Sequence, residues 1–383
     1  MSVAEDGRMT PSHHLHARLI GQPGSRDQLN TPALIVDRDA LDANIAAMAR
    51  WARDAGVALR PHAKTHKSAE IGKLQIAAGA VGLCCAKLGE AEALAAEGIE
   101  SILLTSPVVT QPAIARLVAL HERIPDLALV ADHPDAVAAL AVANSERPIR
   151  VLVDIDPGIH RTGVASPDQA AALARQIADA PGLEYGGVQF YCGSQQHIAT
   201  YADRRAAIAD RTDYLQNVMA ALGDARLTPP VVTGGGTGTH RIDAELGVLT
   251  ELQVGSYVFM DREYAECDLG AGFATALMVD TRVISSNTPG MATLDAGLKA
   301  FATEAGMPAI LAGAPPGSRY RFMGDEQGAV LVSEGATAPL LGARVTAMTP
   351  HCDPTVNLYD AYHLVRGDTL VAIWPVTARG RSA

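Results

Sequence analysis

From about residue 32 onward, short apolar runs rich in β-branched residues alternate with alanine-rich stretches whose apolar positions recur at helical spacing. The runs are PALIVD (32–37), ALRPHAKT (58–65), GLCCAK (82–87), SILLTS (101–106), DLALVAD (126–132), IRVLVDID (149–156), GGVQFYCG (186–193) and PPVVTGGG (229–236). Between them, stretches such as DALDANIAAMARWARDAG and PDQAAALARQIADA keep glycine and proline out of their interiors, as amphipathic helices do. Strand–helix alternation repeated about eight times predicts an α/β protein whose parallel strands close into a (β/α)8 barrel of the TIM type. An open doubly wound sheet is the other arrangement this alternation allows. After about residue 265 the pattern changes. ATALMVDTRVISS, MATLDAG, GAVLVSEG, ARVTAMTPHC and TLVAIWPVTARG are short runs broken by Gly, Pro and Asn, and predict a second, antiparallel β domain. No low-complexity linker divides the two, so they are expected to pack closely with a cleft as the default site.

A length of 383 residues suits one large domain and a smaller one, and 48% hydrophobic against 19% charged residues leaves ample material for a core. The net charge of −11 argues against a nucleic-acid or acidic-membrane partner. No run approaches the length of a membrane span, and MSVAEDGRMTPSHHLH lacks the order of a signal peptide. Five cysteines without framework spacing fit a reducing compartment, and the cytoplasm is the expected setting. The leader SHHLHAR carries His13, His14 and His16, which read as a mobile tail rather than a metal site.

The segment RPHAKTHKS (60–68) concentrates positive charge where the flanking sequence reads as a buried strand. On an extended strand Arg60, His62, Lys64 and His66 share one face, which places Lys64 near the C-terminal mouth of the barrel. Neighbouring cations and partial burial favour a neutral, nucleophilic amine there, and a solvated basic strand end is the plain alternative. The strand alone leaves both open. Further on, VVTGGGTGTH (231–240) runs from a strand into a Gly-rich turn where Gly235, Gly236 and Thr237 could cradle a phosphate, with Thr239 to assist. ELQVGSYVFMD (251–261) offers a second such turn at Gly255, Ser256 and Tyr257. A reactive lysine with two phosphate-type loops suits pyridoxal 5′-phosphate, and GGGTGT does not match the dinucleotide pattern G-x-G-x-x-G. Gln189 and Tyr191 alternate on one strand face and could contact the coenzyme ring.

These motifs, with CCAKLGEAEAL, DPGIHRTGV, GGVQFYCGSQQH and PHCDPTVNLYD, resemble the D-threonine aldolase and D-serine dehydratase family, whose fold is similar to that of alanine racemase. The resemblance runs from about residue 30 to 375. It implies that Lys64 carries pyridoxal phosphate covalently, with His62 beside it, and that residues 1–30 join 265–383 in a β domain while 31–264 form the coenzyme-binding barrel. It implies that Arg161 lies against the coenzyme's phenolate oxygen and that His197 exchanges a proton with a metal-bound substrate hydroxyl. Gln253 aligns with the alanine racemase position that holds an arginine on the pyridine nitrogen, and a neutral amide there speaks against racemisation.

In TPHCDPTV, residues 351–353 drawn as extended point His351 and Asp353 to one side and Cys352 to the other, a pair able to hold one divalent ion. A plain Asp-Pro turn is the alternative on spacing alone. The resemblance favours the metal: its dehydratases show His-x-Cys and zinc, its aldolases His-x-Asp and manganese. A carboxylate partner points to Mn2+, with Mg2+ or Zn2+ as alternatives. The expected activity is a metal-dependent aldolase that cleaves D-threonine and other D-β-hydroxy-α-amino acids to glycine and an aldehyde. A D-serine or D-threo-3-hydroxyaspartate dehydratase and a non-catalytic pyridoxal phosphate carrier are the rival readings, and a homodimer is expected by analogy.

Overall fold

The computed structural model describes residues 15–383 apart from Asn144 and Ala271. By internal packing the chain divides into two units. One takes Asn44–Val258, Glu263–Phe273 and Gly380–Ala383; the other takes the chain up to Ala43, Phe259–Arg262 and Ala274–Arg379.

Strand β1 (Ala33–Asp37) is followed by eight parallel strands: β2 (Ala58–Leu59), β3 (Leu83–Cys85), β4 (Ser101–Leu104), β5 (Asp126–Ala131), β6 (Ile149–Ile155), β7 (Leu183–Phe190), β8 (Val232–Gly234) and β9 (Glu251–Leu252). The eight lie in the order β2-β9-β8-β7-β6-β5-β4-β3. The ring closes between β2 and β3 through Val81 N–H to Leu59 O (2.8 Å), Cys84 N–H to Pro61 O (2.8 Å) and a parallel bridge from His62 to Cys84. This is the expected barrel. Its centre is filled from adjacent strands by Cys84, Leu103, Ala128, Val130 and Leu152. Cys84 and its neighbour Cys85 are fully buried. The helices fall where the periodicity placed them: Arg38–Ala55 buries Leu41, Ile45, Met48 and Ala52, and Pro167–Asp179 buries Ala170, Leu173, Ala174 and Ile177. Ser166 caps the second of these on the N–H of Gln169 (3.2 Å).

One strand assignment is corrected. PALIVD does not open the barrel: β1 pairs antiparallel with β10 (Leu277–Ser285) and parallel with β16 (Ala361–Arg366) in the second sheet. The eighth barrel strand is the two-residue β9, too short to register as an apolar run. Both kinds of strand are buried on two faces and look alike in sequence, so periodicity could not separate them.

The second unit also carries β11 (Met291–Leu294), β12 (Ala309–Ala312), β13 (Arg319–Phe322), β14 (Gly328–Leu331), β15 (Arg344–Met348) and β17 (Thr369–Pro375). Apart from the β1–β16 pair its ladders are antiparallel. Residues leading into β1 pack on this sheet. Arg26 makes a two-pronged ion pair with the buried Asp280 (2.8 and 2.9 Å), and Gly21 N–H reaches Leu370 O (2.8 Å). His16 is therefore no part of a mobile tail: it is buried, with Nδ1 2.9 Å from His363 Nε2. Burial lowers the pKa of both rings, that of His363 to about 4, so two neutral imidazoles share one hydrogen bond. His13 and His14 lie outside the described residues. Among the described residues no helix is long and apolar enough to cross a membrane.

Candidate active site

At the C-terminal ends of the barrel strands the turns surround a cavity of about 350 Å³. Lys64, Lys87 and Arg161 contribute its cations, and among the described residues no carboxylate lines it. Its lining also includes His62, Thr105, Gln189, Tyr191 and Gln253.

Lys64 does not sit on a strand. β2 stops at Leu59, and Ala63–Thr65 form a single 3-10 turn capped by His62. The expectation that Arg60, His62, Lys64 and His66 share a strand face is corrected, because a three-residue turn destroys the two-residue alternation. Arg60 instead pairs with Glu251 (3.0 Å), and His66 is fully buried against Gln75 Oε1 (3.2 Å). His62 and Lys64 do face the same cavity. The Lys64 amine lies 6.0 Å, and the Arg161 guanidinium 5.7 Å, from the centre of the Tyr191 ring. Burial, with the charges of Lys64, His66, Lys67 and Arg161, pushes His62 well below the usual histidine range, so its ring is neutral. Its Nδ1 accepts the Lys64 backbone N–H (3.4 Å), which leaves the proton on Nε2 for the Thr105 hydroxyl oxygen (3.1 Å).

The floor carries a buried amide chain. Gln189 Nε2 donates to Asp154 Oδ1 (2.9 Å) and to Thr105 O (3.3 Å). Gln253 Nε2 donates to Gln189 Oε1 and to Thr233 Oγ1, both at 3.1 Å.

The two glycine turns are tied together beside this floor. Thr237 Oγ1 accepts the backbone N–H of Tyr257 (3.0 Å), and a Cβ on Gly255 would lie 2.6 Å from Thr65 Oγ1. Gln196, fully buried and passed over in the sequence, organises the first turn: its amide donates to Thr239 Oγ1 (3.0 Å), and its Oε1 accepts Gly238 N–H (3.0 Å). A Cβ on Gly238 would meet the Gln196 carbonyl oxygen at 2.0 Å, and one on Gly236 would meet Gln196 Oε1 at 2.5 Å. Gly235 has φ +66° and faces Asp243. The glycines are thus demanded by close packing of the turn. Thr239, offered to a phosphate by the sequence reading, spends its hydroxyl on Asp243 Oδ2 (2.6 Å). Tyr257 is buried with its hydroxyl accepting from Gln75 (3.0 Å), away from the cavity lining, and Ser256 is buried beside it. His197 is exposed, packs on the Tyr264 ring (centroids 4.4 Å apart) and is not among the residues lining the cavity.

In the other unit, residues 351–353 are not extended. His351 stands at the N-cap position of the short helix Cys352–Val356 without a side-chain capping bond, and the helical turn still brings its Nε2 to 4.0 Å from Asp353 Oδ1 while Cys352 is buried. The other ring nitrogen, Nδ1, is 2.8 Å from Glu304 Oε1. A carboxylate on one nitrogen orients the ring and frees the other for an ion, the usual support of a metal-bound histidine. Among the described residues no group of three or more His, Cys, Asp or Glu is gathered as a ligand set. The sequence reading missed Glu304, Lys87, Asp154 and Gln196. Lys87, two residues past β3, and Asp154, near the C-terminal end of β6, carried a signal in their place at the ends of barrel strands.

Residues 36–263 match the family described as alanine racemase, N-terminal domain, and residues 276–365 match the putative serine dehydratase domain. The chain belongs to the D-threonine aldolase and D-serine dehydratase family of alanine-racemase-like enzymes. A D-threonine aldolase of Arthrobacter sp. is 39% identical over 366 residues, covering 94% of this chain and 96% of the relative. A 3-hydroxy-D-aspartate aldolase of Paracoccus denitrificans is 35% identical, covering 94% and 95%. The crystal structure of D-threonine aldolase from Filomicrobium marinum superposes with a TM-score of 0.89 at 38% identity, covering 93% of this chain and 97% of that one. Among the dehydratases, a D-threo-3-hydroxyaspartate dehydratase of Delftia sp. is 31% identical, covering 90% and 97%. The chain is an enzyme, a carbon–carbon lyase, and its family implies pyridoxal phosphate.

Proposed function

We propose that this protein cleaves D-threonine and other D-β-hydroxy-α-amino acids reversibly to glycine and an aldehyde, with pyridoxal phosphate on Lys64 and a divalent cation, manganese first, on His351 and Asp353. The observation that carries the reading is the cavity at the barrel mouth: three cationic side chains and a neutral histidine fit an anionic aldehyde and a substrate carboxylate. Its volume lies within the range of small-molecule sites.

Bound there, the coenzyme supplies the electron sink for the carbanion left at Cα when the Cα–Cβ bond breaks. Lys64 supplies the amine that takes the coenzyme's aldehyde carbon. His62, neutral and bonded to the Lys64 backbone, holds that turn without adding a proton to it. Arg161, over the Tyr191 ring, offers a permanent cation to the coenzyme's phenolate oxygen. The turns at Gly235, Gly236 and Thr237 and at Gly255 and Ser256 are our candidates for the phosphate end. A divalent ion on His351 and Asp353 supplies a Lewis acid for the substrate hydroxyl, lowering its pKa. Glu304, 2.8 Å from Nδ1, orients the His351 ring with Nε2 on the Asp353 side. His197 is our candidate for the group that exchanges the hydroxyl proton.

The dehydratase reading uses the same groups and is favoured only by the dehydratase relatives. A carrier without catalysis is disfavoured by the serine dehydratase domain match over 276–365. We also expect a homodimer in a reducing cytoplasm, in keeping with five free cysteines. Incubation with D-threonine, with and without Mn2+, tests the activity: glycine and acetaldehyde are expected, and a keto acid with ammonia in their place would establish the dehydratase.

A further inference from the structure

The polarity of the amide chain under the cavity is settled by its fixed ends. Gln189 faces two groups that only accept, the Asp154 carboxylate (2.9 Å) and the Thr105 backbone carbonyl (3.3 Å), so its NH2 must point at them. Its Oε1 is then the group turned to Gln253, which must answer with its own NH2 (3.1 Å). The second hydrogen of that NH2 goes to Thr233 Oγ1 (3.1 Å). Both donors of Gln253 are thereby used, and what this amide has left for the cavity it lines is its carbonyl oxygen, an acceptor. The phosphate and phenolate of pyridoxal phosphate are acceptors and its methyl group is apolar. Its one ring donor is the protonated pyridine nitrogen.

We propose that Asp154 is a positioning residue which, acting through Gln189, locks Gln253 as a hydrogen-bond acceptor for the coenzyme and so holds the ring nitrogen protonated. The inference rests on the coenzyme reading above and deepens it, since a protonated ring withdraws electrons from Cα more strongly than a neutral one. Asp154 is buried, and burial raises its carboxyl to about 6 against the opposing hydrogen bonds of Gln189 and Thr162. It is therefore ionised, and a pure acceptor, at neutral pH. The charged neighbours that act on it are Asp132, which raises it, and Arg161, which lowers it.

The test is to load the full-length protein with pyridoxal phosphate carrying 15N in the ring. Borohydride reduction and mass analysis first establish the adduct on Lys64. Lack of that adduct would sink the coenzyme reading and the relay with it, whereas an adduct with an unprotonated nitrogen sinks the relay alone. The expected result at neutral pH is a protonated ring nitrogen in the wild type and in Gln253→Glu. In Asp154→Leu and Gln253→Leu the protonated fraction should fall, by about tenfold in ratio for each pKa unit lost. A merely structural role would lower coenzyme occupancy without moving the nitrogen resonance. If Asp154→Leu folds poorly, the contrast between Gln253→Leu and Gln253→Glu still decides whether the amide is the acceptor. A nitrogen resonance unchanged across the variants overturns the proposal.

Discussion

Asp243 lies under the glycine turn of the barrel, 7% exposed, with its carboxylate accepting from the Thr239 hydroxyl at 2.6 Å. Phe190, Leu215, Val248 and Leu249 surround it around a space of about 10 Å³, too small to hydrate a charge. Burial accordingly raises its carboxyl from 3.8 to about 7, against the opposing Thr239 bond. A carboxyl whose folded pKa exceeds its unfolded one binds its proton more tightly in the fold. The stability this confers is fully present below the unfolded value and is lost as pH rises to the folded one. With those two values, raising the pH from 5 to 8 should cost about 2.5 kcal/mol through this one residue. Asp243→Asn keeps the shape and an acceptor for Thr239 but cannot ionise. The assay is urea unfolding of the coenzyme-free protein and the variant in parallel at pH 5, 6, 7 and 8. The quantity to follow is their stability difference, in which groups common to both proteins cancel. That difference should move in favour of the variant by about 1.4 kcal/mol per pH unit up to about pH 7 and then level off. A difference independent of pH would refute the claim that Asp243 is folded at a desolvation cost.

Lys64→Ala should abolish the visible coenzyme band and lower turnover by on the order of 10³-fold, measured by absorbance and glycine release. Chelation should stop turnover while leaving that band in place, and survival of turnover in metal-free protein would remove the ion from the mechanism. Glu304→Gln should leave the coenzyme band unchanged and raise the metal concentration for half-activation by about 10- to 100-fold, read by metal titration. Gly238→Ala forces a Cβ against the Gln196 backbone and should cost about 1–3 kcal/mol and much of the coenzyme affinity. Gly223→Ala, with nothing within 4 Å near the end of the helix Tyr201–Asp224, should be neutral or stabilising by up to about 1 kcal/mol. Thermal melts and coenzyme titration of the two variants check the contrast.

The sequence by itself determined the two kinds of architecture and the residue types of the site. Helical spacing in 39–56 and 167–180 and the apolar runs between helices restrict the first part of the chain to a parallel α/β sheet, closed as a barrel or open and doubly wound, because burial of one helix face and both strand faces leaves few other packings. RPHAKTHKS and PHCDPTVNLYD drew attention to Lys64, His351 and Asp353 as candidates, and the family resemblance, not the local pattern, chose the chemical reading over the plain one. Tertiary structure decided what local pattern cannot carry. Whether PALIVD or the two residues Glu251–Leu252 complete the barrel depends on partners 193 to 247 residues distant. Lys64 lies on a 3-10 turn, not a strand, because the chain must leave the barrel wall at its mouth. Gln196, Glu304 and Asp154 act through hydrogen bonds to residues 30 to 50 positions away. Such bonds leave no periodicity in the chain: a buried amide or carboxylate takes its role from the one partner the fold sets within 3 Å of it.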